Sequence, residues 1–101
     1  MNSKITKTQG GLFADDRGYL RFVNDFDFTG VKRFYQVENH SKNYIRAWHG
    51  HFKEAKYITC IKGAFQVSCV KLTDKKKPSR KESVQTWYLS ERKKEILYIP
   101  P

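Results

Sequence analysis

Three side chains that can do chemistry lie close together in the stretch RAWHGHFKEAK, residues 46–56: His49, His51 and Lys56. In an extended chain, residues two apart share a face, so the two imidazoles should project into the same space. Polar groups of this kind are costly to bury unless a pocket uses them. The pattern therefore favours a functional site over two histidines that merely fill a core.

The residue types suit two kinds of chemistry. A neutral histidine can remove a proton made acidic by an adjacent carbonyl, and a nearby ammonium can stabilise the enolate that forms. His49 or His51 with Lys56 would supply both roles without a cofactor. A metal site with His49, His51 and Glu54 as ligands is the alternative, although a protonated Lys56 has no lone pair to offer a metal. Proton transfer is favoured, and the metal site stays open.

Length and composition predict one compact cytoplasmic domain. The chain has 101 residues, of which 39% are hydrophobic, enough for a modest core. No apolar run approaches the roughly 20 residues that cross a bilayer, and the first residues lack the apolar segment of a secretory signal. Cys60 and Cys69 lie in apolar, strand-like stretches without metal-binding spacing, which predicts buried thiols.

The charge is strongly basic and should attract phosphates. Twenty Lys and Arg residues face ten Asp and Glu residues, a formal charge of +10. Many of the cations fall in two segments, 74–82, which surrounds a proline and predicts an exposed loop, and 91–95, which predicts a turn. Together the two segments carry +4 of the +10 and are interpreted as solvated loops rather than a nucleic-acid surface, so we expect no nucleic-acid partner. Binding of nucleic acid through residues 75–81 is the alternative, and it would weaken steeply with salt.

Short segments rich in β-branched and aromatic residues, separated by turn residues, predict an all-β sandwich or barrel without helices. The predicted strands are 19–24, 32–37, 45–51, 56–62, 64–72, 83–89 and 96–99. Phe65, Val67 and Cys69 alternate with polar residues, which predicts one buried face. Gly63 predicts a tight hairpin or a bulge between its two neighbouring strands.

Short motifs in a fixed order along the chain resemble those of one protein family. They are Asp-Asp-Arg-Gly-Tyr at 15–19, Glu-Asn-His-Ser-Lys at 38–42, Ile-Arg-Ala-Trp-His at 45–49, a lysine, strand and glycine run over 55–63, and Leu-Tyr-Ile-Pro at 97–100. The chain thereby resembles the sugar-nucleotide cupins typified by dTDP-4-dehydrorhamnose 3,5-epimerase. The resemblance implies a cupin-type double-stranded β-helix, a jelly-roll-like barrel.

The resemblance also assigns roles to single positions. It places His49 as the catalytic base and Lys56 as the group that stabilises the enolate. Arg17 and Arg46 match arginines that contact the nucleotide's phosphates or the sugar, a use that suits the guanidinium fork. Asn39 falls where a polar residue faces the substrate, although a turn-forming asparagine explains it equally well.

The motif around the histidines departs from the epimerase pattern. Ala47 replaces a glycine, and Gly50-His51 replaces an aromatic-glutamine pair. The His-x-His that results is more similar to the dTDP-sugar 3,4-ketoisomerases, whose two histidines shuttle protons between neighbouring ring carbons. That likeness implies a second proton carrier at His51. Metal-binding cupins, by contrast, would place a carboxylate where this chain has Lys56.

The resemblance predicts a single cupin domain over 1–101 that lacks the family's C-terminal segment. In the epimerases that segment supplies a tyrosine acid and an acidic partner for the histidine. Tyr35, Tyr57 and Tyr98 could replace the acid, although packing of their rings is the commoner role of such residues. Tyr35 is also a candidate for contact with the substrate.

The resulting prediction is a cytoplasmic epimerase or ketoisomerase acting on a nucleotide-linked, dTDP-type 4-keto-6-deoxyhexose in deoxysugar and polysaccharide biosynthesis. It would use no cofactor and no metal, and the family likeness implies a homodimer. The alternatives are a non-catalytic module that binds a sugar nucleotide and, less favoured, a metal-dependent cupin.

Overall fold

The computed structural model describes residues 4–42, 44–46, 48–50, 53–71 and 84–101. Within these ranges the chain forms seven strands and no helix, which confirms the all-β prediction. The strands are β1 Thr6–Gln9, β2 Gly11–Asp15, β3 Gly18–Phe22, β4 Lys56–Ile58, β5 Ala64–Val70, β6 Val84–Ser90 and β7 Glu95–Ile99. The described residues accordingly contain no helix long and apolar enough to cross a membrane.

The strands form three separate antiparallel sheets. One has three strands in the order β1-β7-β4, and the other two are the hairpins β2–β3 and β5–β6. This arrangement is consistent with a cupin-type β fold. Over the described residues, however, the sheets do not join into a closed barrel.

The core lies between the three-stranded sheet and the β5–β6 hairpin. Leu97 of β7 pairs with Lys7 of β1 and Ile58 of β4, so these three side chains share one face of the sheet. Leu97 is 0% exposed and packs with Cys60 and with Leu89 of β6. Partly buried side chains from both sheets surround this cluster: Ile5, Ile58, Val67, Trp87 and Ile99.

A buried ion pair sits beside the apolar cluster. Glu95 of β7 is only 3% exposed, and its Oε2 lies 3.4 Å from the Lys7 ammonium and 3.9 Å from that of Lys93. Neither contact has hydrogen-bond geometry, so Oε2 lacks a hydrogen-bond partner, as does Nε1 of Trp87. The Lys7 ammonium also lies 5.7 Å from the centre of the Trp87 ring. Lys7 therefore connects β1 to β7 and to the opposite sheet.

Four of the predicted strands are confirmed with small shifts in their ends. Segment 19–24 corresponds to β3, 64–72 to β5, 83–89 to β6 and 96–99 to β7. Segment 56–62 is a strand only over Lys56–Ile58. In β5 the predicted buried face is incomplete, because Val67 and Cys69 are half-buried whereas Phe65 is exposed.

Two predicted strands are wrong. Residues 32–37, and those of 45–51 that the structure describes, are in no strand and are exposed to solvent. Phe34 and Ile45, for example, are 81% and 88% exposed. These segments have the right residue types but pair with no neighbouring strand, and β propensity mostly measures such pairing and burial. Residues 47 and 51 lie outside the described part of the chain.

Two strands were missed at the N-terminus. Strand β1 reads Thr-Lys-Thr-Gln and offers no apolar side chain, although it pairs with β7 over its full length. Gly10 and Gly11 are residues typical of a turn, but Gly11 begins β2. A Cβ at Gly10 would lie 2.0 Å from the carbonyl oxygen of Phe22, so the glycine permits close packing of two backbones.

The prediction of a hairpin or bulge at Gly63 is also wrong. Strands β4 and β5 belong to different sheets, and Gly63, with φ +78°, bends the chain from one to the other. The bend is fastened to the turn after β6, because Glu91 N donates to Gly63 O at 2.8 Å and Gly63 N donates to the Glu91 carboxylate at 3.1 Å. The predicted turn at 91–95 is shorter than expected, since β7 begins at Glu95. Loop 74–82 lies outside the described residues.

The cysteines are reduced, and the structure confirms burial for one of them. Cys60 is 2% exposed and Cys69 is half-buried. Burial raises the pKa of both thiols, so both are protonated near neutral pH. The structure therefore assigns them a packing role.

The first prediction concerns the small core. Leu97→Ala should lower the free energy of unfolding by about 2–5 kcal/mol, because it leaves a cavity at the most buried side chain. Val37→Ala, at a position 58% exposed and in no strand, should cost about 0.5 kcal/mol or less. Urea denaturation followed by circular dichroism measures both. Equal losses in the two variants would contradict the placement of the core.

The second prediction concerns the ion pair. Lys7→Met should destabilise the protein by about 3 kcal/mol, since it leaves the buried Glu95 carboxylate without its nearest cation. The double variant K7M/E95M should recover most of that loss, because removing both charges removes the unpaired one. Lys71→Met, at an exposed position, is the matched control and should be close to neutral. A K7M/E95M protein as unstable as K7M would show that the pair is not coupled.

Candidate functional site

Arg17 lies at the tip of the β2–β3 hairpin and is held by Asp15. Its backbone N–H donates to Asp15 Oδ1 at 2.9 Å, and its Nε and Nη2 donate to Oδ2 at 3.2 and 2.7 Å. The hairpin brings them together because β2 ends at Asp15 and β3 begins at Gly18, whose φ of +135° suits only glycine. Asp15 was not among the predicted site residues, although the Asp-x-Arg-Gly spacing indicates that its carboxylate and Arg17 are close together.

This contact fixes the guanidinium while leaving it open to solvent. The side chain of Arg17 is 88% exposed, so one edge of the guanidinium remains available to an anion. Arg17 donates hydrogen bonds to Asp15 from its side chain and from its backbone N–H. The side-chain bonds have the larger effect, and together these contacts lower the pKa of Asp15 below its ordinary value of 3.8. Asp15 is therefore a stable anion that orients Arg17 at neutral pH.

A shallow cavity of about 380 Å³ opens beside Arg17. Its walls are mostly apolar and aromatic, and its lining residues are Phe13, Asp15, Arg17, Gly18, Tyr19 and Leu20. A ring together with an anionic group would match such a surface, since aromatic side chains stack on flat rings and the guanidinium binds the anion.

Arg46 and Asn39, predicted separately as substrate contacts, lie against each other. Arg46 Nε donates to Asn39 Oδ1 at 2.6 Å, and Asn39 Nδ2 donates to the carbonyl oxygen of Tyr44 at 3.3 Å. Tyr44 N donates to Ser41 O at 3.4 Å, and this bond closes a turn within the loop that joins Asn39 to Arg46. Asn39 thus shapes the loop and orients the guanidinium, as the turn-forming explanation predicts, whereas its contact with the substrate stays a prediction.

Tyr35 is exposed and paired with a cation. The guanidinium of Arg33 lies 4.8 Å from the centre of its ring, and the tyrosine is 56% exposed. Among the described residues, no hydrogen bond joins Tyr35 to the other predicted site residues.

The two histidines stand differently in the structure. His49 is exposed in a segment without strand pairing. His51, the predicted second proton carrier, lies outside the described residues. In the part of the chain that is described, no three His, Cys, Asp or Glu side chains come together as metal ligands. The ligand set His49, His51 and Glu54 includes an undescribed member and so stays a hypothesis.

Lys56 is half-buried at the start of β4, opposite Ile99 of β7. It shares a face with Ile58, two residues on, and Ile58 packs against the core. The lysine therefore points to the inner side of the three-stranded sheet. No other described residue forms a hydrogen bond or an ion pair with its side-chain ammonium.

The neighbouring tyrosines point the other way. Tyr57 pairs with Tyr98 across β4 and β7, and their ring centres lie 5.0 Å apart. Tyr57 also meets Phe26 edge-on at 4.9 Å. Successive residues of a strand face opposite sides, so these phenols lie on the far side of the sheet from Lys56. They pack rings, the role the sequence favoured, and are badly placed to act as an acid beside the lysine.

Comparison with known proteins identifies the family. All 101 residues match the family model described as FdtA: WxcM-like, C-terminal. The chain belongs to the FdtA family. No curated protein and no solved structure matched the chain in such comparisons.

The FdtA family is one of sugar-nucleotide cupins, which confirms the family suspected from the sequence motifs. Membership makes the chain a cupin that modifies or binds a sugar nucleotide. The described geometry adds two oriented arginines and one inward-facing lysine to that statement.

The third prediction concerns the hairpin tip. In Arg17→Gln the pKa of Asp15 should rise toward 3.8, because its main hydrogen-bond donor is lost. In the native protein the depressed pKa means that this contact adds stability above the ordinary pKa. That stability disappears as the pH falls through the lowered value. An NMR titration of the carboxyl carbon measures both values.

The control for this titration is Arg21→Gln on the same hairpin. Arg21 donates to the carbonyl oxygen of Arg92 and contacts no carboxylate in the described part of the chain. It should therefore leave the pKa of Asp15 depressed. An Asp15 pKa that is the same in R17Q and in the native protein would contradict the assigned cause.

Proposed function

We propose that the chain is a sugar-nucleotide isomerase, an epimerase or ketoisomerase that acts on a nucleotide-linked 4-keto-6-deoxyhexose by cofactor-free enolisation. The observation that carries the proposal is the position of Lys56, a half-buried cation on the inner face of the sheet in a sugar-nucleotide cupin. A cation in such a place is suited to stabilise negative charge that develops on a carbonyl oxygen.

The chemistry needs one base and one stabilising cation. Neutral His49 removes the proton from the ring carbon next to the ketone, and the Lys56 ammonium donates a hydrogen bond to the enolate oxygen. Delivery of a solvent proton to the opposite face of the same carbon, with release to solvent of the proton that His49 took, gives epimerisation. Protonation of the former carbonyl carbon by His51, while the hydroxyl proton of the first carbon passes to the former ketone oxygen, gives ketoisomerisation. Each route is a net isomerisation, so no co-reactant is consumed.

The arginines serve as anchors for the nucleotide sugar. Arg17 and Arg46 are both exposed, and each is oriented by one oxygen-bearing partner, Asp15 or Asn39. A guanidinium already held in place loses less conformational freedom when it binds a phosphate. Tyr35 is proposed as a further contact with the substrate.

A homodimer is part of the same proposal. The β2–β3 hairpin exposes apolar side chains on both faces, with Phe13 opposite Leu20 on one face and Leu12 and Tyr19 on the other. An isolated two-stranded hairpin is only marginally stable in water. A second copy of the chain would bury this surface.

The fourth prediction tests the base and the cation separately. His49→Ala should abolish the exchange of solvent deuterium into the sugar ring, measured by mass spectrometry, while affinity for the nucleotide sugar survives. Lys56→Met should slow exchange by roughly 100-fold, the size of effect expected when one donor to a developing oxyanion is lost.

Lys53→Met is the matched control for the lysine, since Lys53 is exposed three residues earlier and carries the same charge. It should exchange at the native rate. Undiminished exchange in His49→Ala would overturn the proposal, and equal slowing in the two lysine variants would remove the role of Lys56.

A second candidate function is a sugar-nucleotide-binding module without catalysis. The exposure of His49 favours it, because among the described residues no carboxylate orients this imidazole as a base usually requires. Full affinity for a nucleotide sugar, with no exchange at any ring carbon in the native protein, would decide for the module.

A further inference from the structure

A small cavity lies where the junction of β1 and β2 meets the turn before β7. Its volume is about 180 Å³, and it is lined by Gln9, Gly10, Gly11, Leu12, Arg92, Lys93 and Lys94. Three consecutive cations thus form one wall, and the backbone of two glycines forms part of the other. None of these residues belongs to the proposed catalytic group or to its anchors.

Backbone hydrogen bonds position this wall, so its placement does not depend on the charge of Arg92. Gly10 N donates to the carbonyl oxygen of Lys94 at 2.9 Å, and Lys93 N donates to Ser90 O at 3.3 Å. Arg92 N donates to the Ser90 hydroxyl at 3.1 Å, while its own carbonyl oxygen accepts from Arg21 Nε at 3.3 Å. These contacts hold the turn before β7 against the β2–β3 hairpin, and they place the guanidinium of Arg21 beside that turn.

The carboxylates next to the turn neutralise its positive charge only in part. Glu91 uses its carboxylate to accept the N–H of Gly63 at 3.1 Å. Glu95 is buried and lies nearer to Lys7, at 3.4 Å, than to Lys93, at 3.9 Å. Arg92 has no carboxylate partner in the described part of the chain. The cavity is therefore a region of excess positive charge.

The two exposed cations can reach a ligand. Arg92 and Lys93 are exposed, whereas the Lys94 ammonium is turned away and donates to the carbonyl oxygen of Cys60 at 2.8 Å. A guanidinium fork next to an ammonium is the usual pairing for a phosphate group, whose oxygens accept several charge-assisted hydrogen bonds.

We propose that the cavity formed by Gly10, Gly11, Arg92 and Lys93 is a phosphate-binding site separate from the proposed catalytic site. Lys56 pairs with Ile99 of β7, and the cavity adjoins Glu95 at the other end of the same strand. Four residues of strand separate the two positions, a distance of about 13 Å. Along the hairpin, Gly11 is at the base and Arg17 at the tip, a similar separation. The ligand is a phosphate monoester, a diphosphate or free phosphate, which share the chemistry that this wall recognises.

The experiment is a titration of the native chain with inorganic phosphate at constant ionic strength, followed by the amide signals in ¹⁵N–¹H NMR spectra. Saturable shifts are expected at the amides of Gly10, Gly11, Arg92 and Lys93. In R92Q/K93Q the affinity should fall roughly tenfold or more, because two charge-assisted contacts are lost. The charge-preserving variant R92K/K93R should stay within about threefold of the native affinity, since both cations remain.

The matched control is K32Q/K71Q, which removes the same charge from two exposed positions outside the cavity. It should leave the affinity unchanged. Equal weakening in R92Q/K93Q and K32Q/K71Q would overturn the site, because net charge would then explain the binding. Binding seen only with a single-stranded oligonucleotide, with shifts spread over the basic surface, would overturn it as well.

Two further arms separate the sources of the phosphate and the two proposals. If a nucleoside diphosphate shifts the same amide signals and binds with higher affinity than inorganic phosphate, the site binds the diphosphate of a nucleotide. If both probes bind there equally, it takes a separate phosphate group. His49→Ala should bind phosphate at this cavity like the native chain. Undiminished deuterium exchange in His49→Ala with intact phosphate shifts would show that the catalytic proposal has failed. Loss of exchange in that variant, without saturable phosphate shifts in it or in the native chain, would show that the phosphate site has failed.

Discussion

The pairing of β7 with strands on both of its sides is the constraint on which the rest of the structure depends. This strand is hydrogen-bonded to β1 along one edge and to β4 along the other. Its inward face carries Leu97, the most buried side chain, and Glu95, the buried carboxylate. Because the same five residues hold the N-terminal strand, the strand of Lys56 and the core, the fold and the candidate site share one support.

The sequence predicted those parts of the fold whose local pattern agrees with their burial. Strands β5, β6 and β7 have alternating or apolar runs, and each found an antiparallel partner. Segment 32–37 has equally suitable residue types, yet none of the described strands pairs with it, and no local sequence signal indicates that. Strand β1 shows the opposite failure. Its side chains are all polar, so the sequence gives no sign of a strand. Its position is set by the backbone hydrogen bonds to β7 and by the ion pair between Lys7 and Glu95, which are far apart in the sequence.

The candidate site was predictable in the same uneven way. Residue motifs indicated Arg17, Arg46 and Asn39, and the structure adds that each arginine is oriented by a neighbour close in the sequence. Such short-range contacts depend on turn geometry and can be anticipated from spacing. The cavity at Arg92 and Lys93 could not, because it needs two chain segments about 80 residues apart to meet. The motif at 91–95 showed only that cations are close together in the sequence, not what they face.

The pairing of Lys56 with Ile99 also limits how the chain can vary in length. Adjacent residues of β4 face opposite sides of the sheet, so a shift of one position would turn Tyr57 inward and Lys56 outward. Only three residue pairs maintain this choice. Insertions and deletions before β4 should therefore be absorbed in the unpaired segment that contains His49. A change of length there would move His49 relative to the sheet, while Lys56 would stay on the inner face.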